Sequence, residues 1–71
     1  LTLGKEISAR RKSLGLTQAQ LAEKSGFSRV RISAWEHGET SGIGARSIAK
    51  LEQALQVEPG ELFLIYRAAN E

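Results

Sequence analysis

The sequence predicts an all-α domain, a compact bundle of five short helices in which the second and third are joined by a tight glycine turn. Apolar residues recur at helical spacing in separate short stretches, as in Leu3 and Ile7, Ile32 and Trp35, or Ile48, Leu51 and Leu55. Capping residues and glycines punctuate those stretches, with Thr2, Thr17 and Ser28 at predicted starts and Gly15, Gly26 and Gly38 at predicted ends. At 71 residues the chain supports one hydrophobic core, so residues 1–71 form a single domain in this reading.

Helix 1 is predicted from Leu3 to Leu14, with Thr2 as N-cap and Gly15 as left-handed terminator. Helix 2 opens at Thr17, where Thr-Gln-Ala-Gln has the reciprocal spacing of a capping box; Leu21 and Ala22 form its buried stripe and Gly26 ends it. Helix 3 starts at the N-cap Ser28 and runs to His37, before Gly38. Ile32 and Trp35 point to the core, with Phe27 just ahead of them. Val30, Ser33, Ala34 and His37 lie on the opposite side, flanked by Arg29 and Arg31. Residues 39–45 read as a loop. Helix 4 follows from Ala45 to Leu55, with Ile48, Leu51 and Leu55 inward and Lys50, Glu52 and Gln53 exposed. Helix 5 is predicted to begin at Glu58-Pro59, because proline suits a first helical position, and Leu62 to Tyr66 make it apolar nearly all round.

Composition narrows the chemistry. The absence of cysteine excludes disulfides and thiolate metal sites, and one histidine, His37, cannot hold zinc alone, so no metal and no cofactor are expected. No apolar run approaches the roughly 18 residues that span a bilayer, and no leader pattern opens the chain, so a soluble, cytoplasmic protein with no membrane partner is expected. The start at Leu1 leaves open a longer parent chain. No nucleophile is matched to a base and the carboxylates are scattered, which argues against an enzyme.

Charge is uneven. Residues 1–37 carry seven Lys/Arg against three Glu, whereas residues 38–71 carry three against five. Ordinary scatter and a polyanion-binding half fit this equally well. The outward side of helix 3 separates them. Two helices around a glycine, the second with a small-featured face between arginines, suit insertion into the DNA major groove, which is about 12 Å wide. Arg29 then reads a guanine edge, Val30 and Ala34 meet thymine methyls, and Ser33 contacts either kind of base. These four are the candidate base readers.

The run LTQAQLAEKSGFSRVRISAWEHGE resembles the helix-turn-helix of the lambda-repressor-like, or XRE, family of phage repressors, Cro proteins, bacterial regulators and some antitoxins. The resemblance rests on Thr17-Gln18, Leu21-Ala22, Gly26, Ile32, Trp35-Glu36, Gly38, Leu51 to Leu55 and Val57, and covers Leu3 to about Leu64. It implies that Gln18 binds a DNA phosphate and braces the base readers, that Ser28, Arg29, Val30, Ser33 and Ala34 face DNA, and that Arg11 pairs with Glu36. Thr17, Ser28 and Arg31 complete the phosphate-binding set. Two departures stand out: Ser25 occupies a position where the family is usually apolar, and the loop from Glu39 to Gly44 is longer and less basic than in small phage repressors. Arg46 and amides at the start of helix 4 are the candidates to replace that loop's phosphate contacts.

Plainer roles compete at several positions. Gln18 can be a helix-start residue only, His37 a surface residue, and Arg10-Arg11-Lys12 a solvated face; Trp35 belongs to the core. The reading that follows is a double-stranded-DNA-binding transcriptional repressor domain. It acts as a homodimer on a palindromic operator, paired through Leu64, Ile65 and Tyr66. The alternatives are an antitoxin that binds a toxin and represses its own operon, a domain dimerised by a separate C-terminal domain, and the same fold used only as a protein-interaction module.

Overall fold

Helices form where the cap signals fall. A computed structural model describes residues 2–69, in which α1 is Leu3–Ser13, α2 Gln18–Ser25, α3 Arg29–Glu36, α4 Ala45–Ala54 and α5 Glu61–Ala69. No strand occurs among the described residues. The Thr2 hydroxyl accepts from the Lys5 amide at 3.3 Å. At α2 both halves of the capping box are made: the Thr17 hydroxyl accepts from the Gln20 amide at 3.1 Å, and the Gln20 side chain accepts from the Thr17 amide at 2.8 Å. The Ser28 hydroxyl accepts from the Arg31 amide at 3.1 Å. These bonds satisfy amides that a helix leaves unpaired in its first turn.

Gly26 has φ +81°, a left-handed conformation that side chains resist, and it turns the chain from α2 into α3 within three residues. Leu14 and His37, expected as the last helical residues of α1 and α3, are instead their C-caps.

The core is built from all five helices, with Ile7, Leu21, Ile32, Ile48, Leu51 and Leu62 fully buried. Trp35 is buried as expected, and the Phe27 ring meets it edge-on at 4.9 Å. Packing of α1 on α3 depends on Gly4: a Cβ there would collide with the Trp35 carbonyl oxygen. Ser25, the polar residue at a usually apolar position, is buried but satisfied, its hydroxyl donating to the Leu21 carbonyl at 2.7 Å.

Two expectations for the later helices are corrected. Helix α5 begins at Glu61 rather than Glu58-Pro59, because Gly60 at φ +95° separates that turn from the helix. Glu52, expected on an exposed face, is buried. One of its carboxylate oxygens accepts from the amides of Gly60, Leu62 and Phe63 at 2.9, 2.9 and 3.0 Å, so the start of α5 supplies the bonds that make burial tolerable. Leu14, at the end of α1, is exposed, while Ile43 in the α3–α4 loop is buried in the core.

Arg10 is not simply solvated. It pairs with Glu6 at 2.8 Å and also with Glu61, tying α1 to α5. On α5, Leu64 is exposed with Phe63 beside it, but Ile65 and Tyr66 are half-buried and pack on the core. Of the three residues expected to pair, only Leu64 is exposed.

Candidate nucleic-acid interface

Helix α3 buries Ile32 and Trp35 and turns the opposite side to solvent. Val30, at the centre of that side, is 74 % exposed and has no core role. Arg29 and Arg31 are exposed on its flanks and, among the described residues, neither enters an ion pair. Ser33 and Ala34 are half-buried one turn further on, so they add a low surface rather than projecting side chains.

Five of the arginines thus divide into two groups. Arg10 and Arg11 are committed to carboxylates, whereas Arg29, Arg31 and Arg46 are exposed without such a partner among the described residues. The first group holds the fold together. The second is available to an outside anion.

A buried polar cluster fixes the pose of α3. The Arg11 guanidinium grips Glu36 with two bonds, Nε to Oε2 at 2.7 Å and Nη2 to Oε1 at 3.0 Å, and its Nη1 donates to the Leu16 carbonyl at 2.8 Å. Gln18 donates to the same carboxylate at 3.1 Å. Planar two-point pairing of this kind holds orientation as well as distance. Burial pushes the Glu36 carboxyl up, but hydrogen bonds from Arg11, Gln18 and Ser8 and the charge of Arg11 outweigh it and hold the group below the ordinary glutamate range. The bond to Glu36 raises the Arg11 guanidinium further, against a smaller opposing effect of burial. One carboxylate at the end of α3 is therefore bonded to the C-terminal part of α1 and to the first residue of α2.

The structure places Gln18 against Glu36, at the end of α3. Thr17 and Ser28 are exposed N-caps whose hydroxyl oxygens accept from their own helices, which leaves each O–H free to donate outward. Arg46 lies in the first turn of α4, whose N-cap Gly44 provides no side-chain bond to the helix amides. The spacing of 25 residues between Arg11 and Glu36 carries no local signal; only the family resemblance pointed to their pairing. Ser8 and the Leu16 carbonyl, which complete the cluster, had no signal in the sequence.

A recognition-type helix held at a glycine turn, with an exposed small-featured face between unpaired arginines, defines a helix-turn-helix domain. The chain belongs to the helix-turn-helix family, whose model matches residues 7–62. It is 45 % identical over 60 residues to the repressor protein C2 of Salmonella phage P22, covering 84 % of this chain and 27 % of that protein. It is 39 % identical over 59 residues to the HTH-type transcriptional regulator DicA of Escherichia coli K12, covering 83 % of this chain and 43 % of that one. The chain thus spans less than half the length of either relative.

Two solved structures share the fold. The P22 c2 repressor in complex with a synthetic operator superposes with a TM-score of 0.77 at 40 % identity, over 87 % of this chain and 92 % of that one. The solution structure of the DNA-binding domain of the P22 c2 repressor gives 0.79 at 41 % identity, over 89 % and 82 %.

Proposed function

We propose that this domain is the sequence-reading module of a transcriptional repressor and that it binds double-stranded DNA by inserting α3 into the major groove. The observation that carries the reading is the outward face of α3, where an exposed Val30 stands between two unpaired arginines on a helix locked by the Arg11–Glu36 pair. Arg29, one residue after the N-cap, is in the part of a recognition helix that reaches base edges. Its fork matches the guanine O6/N7 edge, and Val30 offers an apolar contact to a thymine methyl. Ser33 and Ala34 let the helix backbone approach closely.

Anchoring on the backbone falls to Thr17, Gln18, Ser28, Arg31 and Arg46. The start of α4 supports Arg46, because helix amides without a side-chain cap attract anions. Its P22 relative was solved on a synthetic operator, which supports the same class of ligand for this chain. Binding requires no cofactor and no catalysis, and the domain works in the cytoplasm on the nucleoid. No described helix is long and apolar enough to cross a membrane.

One α3 reads only a few base pairs, so a homodimer on a palindrome supplies the remaining specificity, with half-sites about 34 Å apart. The pairing surface is Leu64 with Phe63, and with Ile65 and Tyr66 at its edge. Selection of duplexes from a random pool tests the reading. An inverted repeat with half-site centres one helical turn apart supports it; recovery of no preferred sequence would overturn it.

A further inference from the structure

The interface described above contains a titratable group that its base and phosphate contacts do not use. His37 is the only histidine in the chain, it is exposed, and it lies seven residues beyond Val30 on the same side of the helix. Seven residues at 1.5 Å each place it about 10 Å along the helix from Val30. In a groove about 12 Å wide, a helix whose first turn reaches the bases brings its far end to the groove wall, where the phosphates lie.

The ring is also oriented. Its Nδ1 sits 2.8 Å from the Ser33 carbonyl oxygen, which can only accept, so Nδ1 carries a proton and Nε2 is the nitrogen that gains or loses one. The ring flanks a cleft between the start of α1 and the end of α3, whose charged members are Lys5 and Glu36. Glu36 is already gripped by Arg11 and Gln18, and Glu39 follows His37 two positions later in the loop. Bringing a phosphate to this end of α3 adds negative charge beside the ring and favours its charged form.

We infer that His37 is a proton-dependent phosphate contact, so that the domain takes up a proton when it binds duplex DNA and holds it more tightly in mildly acidic conditions. The inference rests on α3 being the DNA-reading helix. Histidine is the side chain that ordinarily changes charge between pH 5 and 8, so the effect falls within that interval. Linkage fixes its sign. If the bound ring releases its proton at a higher pH than the free ring, affinity rises as pH falls through that interval and is constant outside it.

The test is a set of binding titrations at fixed ionic strength from pH 5.5 to 8.5, using the duplex recovered by selection with a mixed-sequence duplex beside it. The wild-type chain should bind about three- to tenfold more tightly at the acidic end. His37→Gln should bind like wild type at pH 8.5 and lose the dependence. His37→Arg, charged throughout, should bind at pH 8.5 as wild type does at pH 5.5. A flat wild-type profile, or an undiminished dependence in His37→Gln, overturns the inference while leaving DNA reading intact. Absence of duplex binding by wild type at every pH overturns both.

Discussion

Replacing Glu36 with glutamine removes the charge on which α1, α2 and α3 converge. Arg11 then keeps its bond to the Leu16 carbonyl but loses the anion that accepts from Nε and Nη2, and Gln18 faces an uncharged amide. The Arg11 and Glu36 side chains are only 11 % and 6 % exposed, so water replaces little of what is lost. Breaking one side of a buried pair costs about 3 to 5 kcal/mol, and the residual exposure here points to the lower end, about 3 kcal/mol. For a domain of this size each kcal/mol corresponds to about 4 to 8 °C, giving a fall in melting temperature of about 12 to 24 °C. Thermal denaturation by circular dichroism measures it. Arg11→Met should cost a similar amount, and the double variant much less than the sum, since either change alone already breaks the pair. Strict additivity, or a shift in Glu36→Gln below about 4 °C, would refute the clamp.

Three further outcomes follow from the geometry. Because the fold holds the Glu36 carboxyl below the ordinary glutamate range, its contribution is complete above that range and is lost as pH falls through the depressed value. Acid titration of stability should therefore show a loss below about pH 4.5 that is smaller in Glu36→Gln. Gly4→Ala places a methyl against the Trp35 carbonyl and should cost about 1 to 3 kcal/mol by forcing α1 away from α3, measurable by urea denaturation. Gln56 holds φ +57° without being glycine, so Gln56→Gly should raise stability by about 0.5 to 1 kcal/mol; a loss would mean that the Gln side chain contributes more than its backbone strain costs.

Much of the fold could be read locally. Thr2, Thr17 with Gln20, and Ser28 each announce a helix start through chemistry confined to four residues, and Gly26 announces its turn through a conformation few other residues accept. The sides of α3 followed from spacing alone, since Ile32 and Trp35 had to be buried together. What could not be read locally depends on partners far along the chain. Glu52 looks like any exposed helix carboxylate until α5 brings three amides to it, and Ile43 looks like a loop residue until it fills the core. Proline at position 59 was a sound helix-start signal, overridden by Gly60. Leu64, Ile65 and Tyr66 appeared equivalent in sequence, but one helix of known orientation sends Leu64 to solvent and leaves the other two half-packed on the core. Within the interface, exposure and pairing were decisive, because they separate Arg10 and Arg11 from Arg29 and Arg31 in a way that composition does not.

The central claim is that α3 reads bases and that Arg29 is a principal reader. Its most direct test measures Arg29→Ala against the selected duplex and against the same duplex altered at each position in turn. A loss of about 1 to 3 kcal/mol on the cognate site, with preference relaxed at a single base pair, is expected of a base reader. An equal loss on every duplex would contradict it, making Arg29 a backbone contact and leaving the choice of sequence to another part of the molecule.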